Sequence, residues 1–270
     1  MTQRKTILAI GLAITGFFVA AALLALVWTP YDVAAVEIAG RLSPPSAAHW
    51  LGTDQYGRDM VSLLFAGATT SLGVSLLSVG AALFIGVPLG LYAAAKGGLI
   101  DGLIMRFGDL VFAFPSLMLA IILSALTGPG ASNAIIAIAI FNIPVFARLT
   151  RGEARRVWTY DYIAAAQIAG KAAPRISFEH ILPNIAGPLL VQATIQFALA
   201  LIAEAGLSYV GLGVQSPQPS WGRMLAESQT LIGTAPQLAI LPGAAILLAV
   251  FGLTLLGDGL GETLRGARGA

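Results

Sequence analysis

Apolar runs of about 20 residues, separated by short polar breaks, repeat along the whole chain. Six of them, at 6–28, 70–95, 103–126, 132–150, 188–207 and 237–257, approach or exceed the roughly 20 residues that carry a helix across a bilayer. Hydrocarbon offers backbone N–H and C=O groups no partner, so these runs predict helices rather than an open sheet. Glycine and proline punctuate the joins, at Lys96-Gly97-Gly98, at Thr127-Gly128-Pro129-Gly130 and through the loop at 211–224. The pattern predicts an all-α membrane protein with six transmembrane helices. The first run follows Arg4 and Lys5, as a signal peptide would, but its 23 residues exceed the roughly 7–15 of a signal core and read as an uncleaved anchor.

Composition agrees with this. Of 270 residues, 57% are hydrophobic and 10% charged, against roughly 25% charged in an ordinary soluble domain. A net charge of +2 gives no argument for nucleic acid as a partner. With no cysteine, disulfides, a thiolate nucleophile and thiolate-based metal sites are excluded.

The placement of charge is more informative. With six spans, alternate loops put Arg41, Arg58 and Arg223 on one side and the other twelve of 15 basic residues on the opposite side. Lys and Arg accumulate on the cytoplasmic side, so both termini are expected in the cytoplasm and residues 29–69 outside it. Residues 1–69 then form an anchor with an extracytoplasmic segment, and 70–270 the membrane core with a cytoplasmic loop at 151–187.

That loop has a pattern of its own. Good helix formers run from Gly152 to Ala169, and Gly170 follows where helices end in the left-handed conformation. Pro174 suits the start of a second helix, which is expected to stop near Pro183. Phe178, Ile181, Leu182 and Ile185 recur at i, i+3, i+4 and i+7 as an apolar stripe, with Arg175 and Glu179 sharing another face. The periodicity fits equally a loop packed on its own domain and an element that docks on a soluble partner.

The segments "AAAQIAG" (164–170) and "HILPN" (180–184) resemble the EAA loop of ATP-binding-cassette (ABC) importer permeases. "HWLGTDQYGRDMVSLLFAGATTSLGV", "IGVPLGLYAA", "MRFGDLVFAFPSLMLA", "AEAGLSYVGLGVQSPQPSWGRML" and "LLGDGL" extend the likeness over about 49–262, to the C-type (DppC/OppC-like) subunit of the dipeptide/oligopeptide/nickel group. The resemblance implies a MetI-like permease core with an extra N-terminal span, in a bacterial or archaeal cytoplasmic membrane. It also implies that the subunit is half of a pathway completed by a second, B-type permease. Two ATPase subunits holding ATP and magnesium, and an extracytoplasmic solute-binding protein, are the other implied partners. The loop would be the coupling element, with Ala165, Ala166, Gly170, Arg175, Phe178, Glu179, His180, Ile181, Leu182 and Pro183 as its residues. The sequence departs from the motif at Ala164, where relatives carry glutamate.

The chain contains no G-x-x-x-x-G-K-[ST] loop, so its transport energy is expected from another subunit. His49 and His180 fall on opposite sides of the predicted membrane and cannot share a metal. No Ser, His and acid set is placed for nucleophilic catalysis. Arg106 and Asp109, three residues apart, suggest an ion pair along one helix. Glu204, an acid inside a span, either lines the translocation path or bonds nearby backbone. Gly86 and Gly90 suggest a close helix crossing. "LGTDQYGRD" (51–59) suggests a polar loop leading into a short interfacial helix before the second span.

Overall fold

The protein, described here from a computed structural model, is defined for the backbone of residues 2–114 and 116–268 and for the side chains of 5–114 and 118–263. The side chains of Arg4, Arg265 and Arg268, counted above on the cytoplasmic side, lie outside the described residues. Described residues form ten α-helices and short 3-10 and π segments.

Helix α1 (Thr2–Ala25) precedes the long α2 (Met60–Lys96), whose 37 residues reach about 55 Å. The Asp59 carboxylate caps α2 by accepting from the Ser62 N–H at 2.8 Å. Nothing in "MVSLLFAGA" interrupts the helix, so the interfacial helix expected before the second span is instead its first turns. After α2 come α3 (Gly98–Ala113), α4 (Ser116–Thr127) and α5 (Ala131–Trp158).

Helices α2 and α5 run parallel in close contact. A Cβ on Gly86 would stand 2.6 Å from the Ile143 carbonyl oxygen, and one on Gly90 2.5 Å from that of Ala147, so the expected close crossing is present and requires glycine. Because α2 and α5 point the same way, α3 and α4 must return the chain between them. They do so as a bent pair, turned by 82°, where the sequence predicted one continuous span over 103–126. Phe114, at the end of α3, is extended (φ −97°, ψ 126°), as a residue before proline is biased to be. The described residues hold five continuous membrane-length helices, and counting the bent pair as one span gives the predicted six.

Asp101 of α3 accepts from Arg151 Nε at 2.9 Å and from its terminal nitrogen at 2.6 Å, and from Arg155 at 2.7 Å. Asp109 pairs with Arg148, whose guanidinium lies 4.8 Å over the Phe112 ring. The expected Arg106–Asp109 pair is therefore replaced: Arg148 reaches Asp109 from α5, and Arg106 is exposed.

The remaining helices are α6 (Asp161–Ile168), α7 (Ala173–Ile176), α8 (Leu182–Tyr209), α9 (Trp221–Ser228) and α10 (Gln237–Arg268). α1 packs antiparallel on α10, with Gly11 against Leu255 and Leu256, and Gly259 against Leu8. Their outer ends therefore share the end of the molecule that carries the 159–184 hairpin. One apolar core joins α2, α5, α8 and the hairpin; a second joins α1, α2, α9 and α10 around Trp221.

Candidate functional site

The hairpin grows directly out of α5. That helix continues past the bilayer-length run to Trp158 and ends at Thr159, so the single helix expected over 152–169 is two, divided at Thr159-Tyr160. The Thr159 hydroxyl donates to the Arg156 carbonyl at 2.8 Å, an alternative to continuing the ladder. Gly170 makes the predicted bend, with φ +78°, in the left-handed region that favours glycine. Its N–H donates to the Gln167 carbonyl, and that of Lys171 to Ala166, closing the C-terminus of α6.

The return arm differs from expectation at Pro183. The helix does not stop there: α7 passes through a π-helical turn, Ser177–Ile181, straight into α8. Proline cannot supply its N–H and its ring crowds the preceding turn; the wider π turn just upstream admits the ring while the axis continues. The π turn also rotates side chains out of 3.6-residue register, so the predicted stripe splits. Ile181 and Ile185 are buried, Leu182 is half-buried, and Phe178 is 57% exposed.

The division of labour within the hairpin is clear from burial. Ile163, Ile176, Ile181 and Ile185 are buried in one core with Val87 and Leu91 of α2 and Ala154 and Val157 of α5. Facing outward are Phe178, Ile168 at 88% exposure, and Tyr160 and Tyr162. Among the other residues singled out from sequence, Ala165, Gly170, Arg175, Glu179 and Pro183 are exposed, and Ala166 and His180 are half-buried. Ile181, expected on the docking surface, belongs to the anchor. Tyr160, Tyr162 and Ile168 were not singled out. The signal was there: Tyr160, Ala164 and Ile168 lie at i, i+4 and i+8, one face of α6, and all three are exposed. Ala164 leaves this face apolar where the motif places an acid.

A polar clasp holds the two arms. Lys171 Nζ donates to Glu179 Oε2 at 2.7 Å, and Arg175 Nε to Glu179 Oε1 at 2.6 Å. Lys171 Nζ also lies 2.9 Å from His180 Nε2. Lysine has only donors, so Nε2 accepts and the imidazole proton is on Nδ1. Asn184 Nδ2 donates to the Tyr162 hydroxyl at 3.2 Å and to the His180 carbonyl at 2.7 Å. The result is a compact knuckle fixed to two helices, with an apolar and aromatic outer face.

At the opposite end, "LGTDQYGRD" folds tightly onto α9. Asp54 accepts from the Tyr56 and Arg58 N–H groups at 2.8 Å and from Arg58 Nε at 2.7 Å. Arg58 bridges to Glu227 at 2.9 Å, and Glu227 accepts from Arg223 at 2.9 Å. Arg58 thus fastens the loop to α9, and Arg223 supports the Glu227 carboxylate from within that helix. Glu204 of α8 is fully buried, and Ser208 Oγ donates to its Oε1 at 2.7 Å. His49, at this end, pairs with Asp59 at 3.0 Å, far from His180.

Residues 86–265 match the family described as "Binding-protein-dependent transport system inner membrane component". The chain is 42% identical to the dipeptide transport system permease protein DppC of Alkalihalophilus pseudofirmus, over 97% of its own length and 86% of the relative's. It is also 42% identical to the glutathione transport system permease protein GsiD of Pectobacterium atrosepticum, over 87% and 78% of the two lengths. In fold it is similar to a chain of the inward-facing MetNI methionine ABC transporter, with a TM-score of 0.60 at 20% identity over 77% of this chain and 97% of that one. A multi-pass helical architecture, a family match over residues 86–265 and sequence identity across nearly the whole length converge: this chain belongs to the inner membrane components of binding-protein-dependent transport systems, the permease subunits of ABC importers.

Proposed function

We propose that this permease forms half of a translocation pathway for peptides of two or three residues, driven through its hairpin by two separate ATPase subunits. The observation that carries the coupling role is the split of the hairpin into a buried isoleucine anchor and an exposed face of Tyr160, Ile168 and Phe178. A face held this rigidly transmits displacement to α2 and α5, because packed cores move as units rather than deforming locally. Docking into a cleft on one ATPase, the hairpin converts closure of the ATPase pair around ATP and magnesium into rocking of the spans. Ala165, Gly170, Arg175, Glu179 and Pro183 border the docking face, while Ala166, His180 and Leu182 support it. The second permease subunit completes the pathway, and an extracytoplasmic binding protein delivers the solute.

The excess of basic residues at one end supports a cytoplasmic hairpin and cytoplasmic chain ends. Relatives named for dipeptide, di/tripeptide and glutathione transport support short peptides as the solute. The test is uptake by the assembled transporter in vesicles, offered labelled dipeptides, tripeptides, glutathione and a nickel chelate, with ATP inside. ATP-dependent uptake of at least one peptide, without uptake of the nickel chelate, supports the proposal. Uptake of the chelate alone, or uptake by this chain without ATPase subunits, contradicts it.

A further inference from the structure

We infer that the cavity between the end of α1 and the start of α2 binds a primary ammonium group, that of an ethanolamine phospholipid headgroup. The cavity holds about 340 Å³, within the range of small-ligand sites. Trp28, Tyr31 and Trp50 line it, together with Asp59. Tyr31 is set in place before any ligand arrives: its hydroxyl donates to the Ala48 carbonyl at 2.7 Å, its N–H to Ser62 Oγ at 3.0 Å, and its ring lies 4.6 Å from that of His49.

Asp59 is 3% exposed yet contributes to the cavity wall. Its Oδ2 accepts from the Ser62 N–H at 2.8 Å and from Ser62 Oγ at 2.9 Å, and its Oδ1 lies 3.0 Å from His49 Nδ1. No lysine or arginine lines the cavity. Arg58, next in sequence, is committed to Asp54 and Glu227 on the other side of the loop. A buried carboxylate whose one basic partner is His49, in a cavity also lined by Trp28, Tyr31 and Trp50, attracts a cation through its charge and the ring quadrupoles. An anion there would be repelled, so the ammonium enters and the phosphodiester of the headgroup stays outside the cavity.

The location selects the source of that cation. Leu26 and Val27, at 66% and 84% exposure, lead directly into Trp28, so the cavity opens where the apolar surface of α1 gives way to polar loop. Tryptophan and tyrosine concentrate at that depth of a membrane, beside lipid headgroups.

The test offers the purified full-length chain dioleoyl phosphatidylethanolamine, its N-acetylated counterpart and phosphatidylglycerol, and counts retained lipid by native mass spectrometry. The ethanolamine lipid is expected to be retained at least fivefold more than either of the others. Trp50→Ala and Asp59→Asn should each remove that preference; the side chain of Trp50 is largely exposed, and asparagine preserves a helix cap. A parallel arm adds trialanine or N-acetyltrialanine: trialanine failing to displace the lipid supports the lipid assignment. Displacement by trialanine alone overturns the lipid as source and gives the ammonium site to peptide amino termini. Equal retention of the free and acetylated lipids, or a preference that survives both substitutions, overturns the site altogether.

Discussion

Phe178, exposed beside the buried Ile176 and Ile181 on the same arm, lets the proposed docking role be tested apart from the fold. Full burial of a phenylalanine side chain is worth about 1.5–3 kcal/mol, and 57% of Phe178 is still open to a partner. Covering that remainder contributes about 1–1.5 kcal/mol, so Phe178→Ala should weaken ATPase binding roughly five- to tenfold. Phe178→Asp also places a carboxylate beside Glu179, whose two oxygens already engage Lys171 and Arg175. Desolvating that unpaired group brings the loss to about 3 kcal/mol, on the order of a hundredfold. Ile181→Ala is the contrasting change: its side chain is fully buried, so it should lower stability of the fold by about 2–5 kcal/mol. The assay is titration of the ATPase subunits onto the permease pair in nanodiscs, with substrate-stimulated ATP hydrolysis measured in parallel. An affinity for Phe178→Asp within twofold of the parent, with hydrolysis still stimulated, refutes the docking face.

Other substitutions test the frame that carries the hairpin. Gly90→Val drives atoms to about the positions that stand 2.5 Å from the Ala147 oxygen and 2.6 Å from the Thr150 Cβ, and should cost about 1–3 kcal/mol, read as a lower thermal midpoint in nanodiscs. Glu204→Gln preserves an acceptor for the Ser208 hydroxyl and should stay within about 1 kcal/mol of the parent, whereas Glu204→Ala removes that acceptor, leaving the hydroxyl only the Val214 N–H, and should lose about 1–3 kcal/mol by the same measurement. Arg58→Ala and Glu227→Ala remove the two ends of one ion pair, at 11% and 17% side-chain exposure. A double-mutant cycle on unfolding should return a coupling of about 0.5–3 kcal/mol.

Much of this architecture was legible in the chain because hydrocarbon enforces simple rules. Apolar run length gave the crossings, and the left-handed backbone at Gly170 and the tight approach at Gly86 and Gly90 follow from what only glycine tolerates. The misses share a cause, which is that local periodicity does not report what a neighbouring element supplies. Arg148 on α5 captures Asp109 although Arg106 is nearer in sequence. Pro183 is absorbed by a π turn because the isoleucines on either side are held by α2 and α5. The same turn moves Ile181 and Ile185 inward and leaves Phe178 outside, which a 3.6-residue wheel cannot represent. The bend between α3 and α4 had a sequence signal in "FAFPS", which the apolar count masked.

The natural absence of cysteine allows the central claim to be tested by site-directed cross-linking. Phe178→Cys and Ile168→Cys, introduced singly and treated with a short bismaleimide in the assembled transporter carrying cysteines on the ATPase, are predicted to link to the ATPase in high yield. Leu199→Cys, exposed on the membrane-crossing part of α8, is predicted not to. No ATPase cross-link from either hairpin position, in a complex that still hydrolyses ATP on adding substrate, would contradict the account.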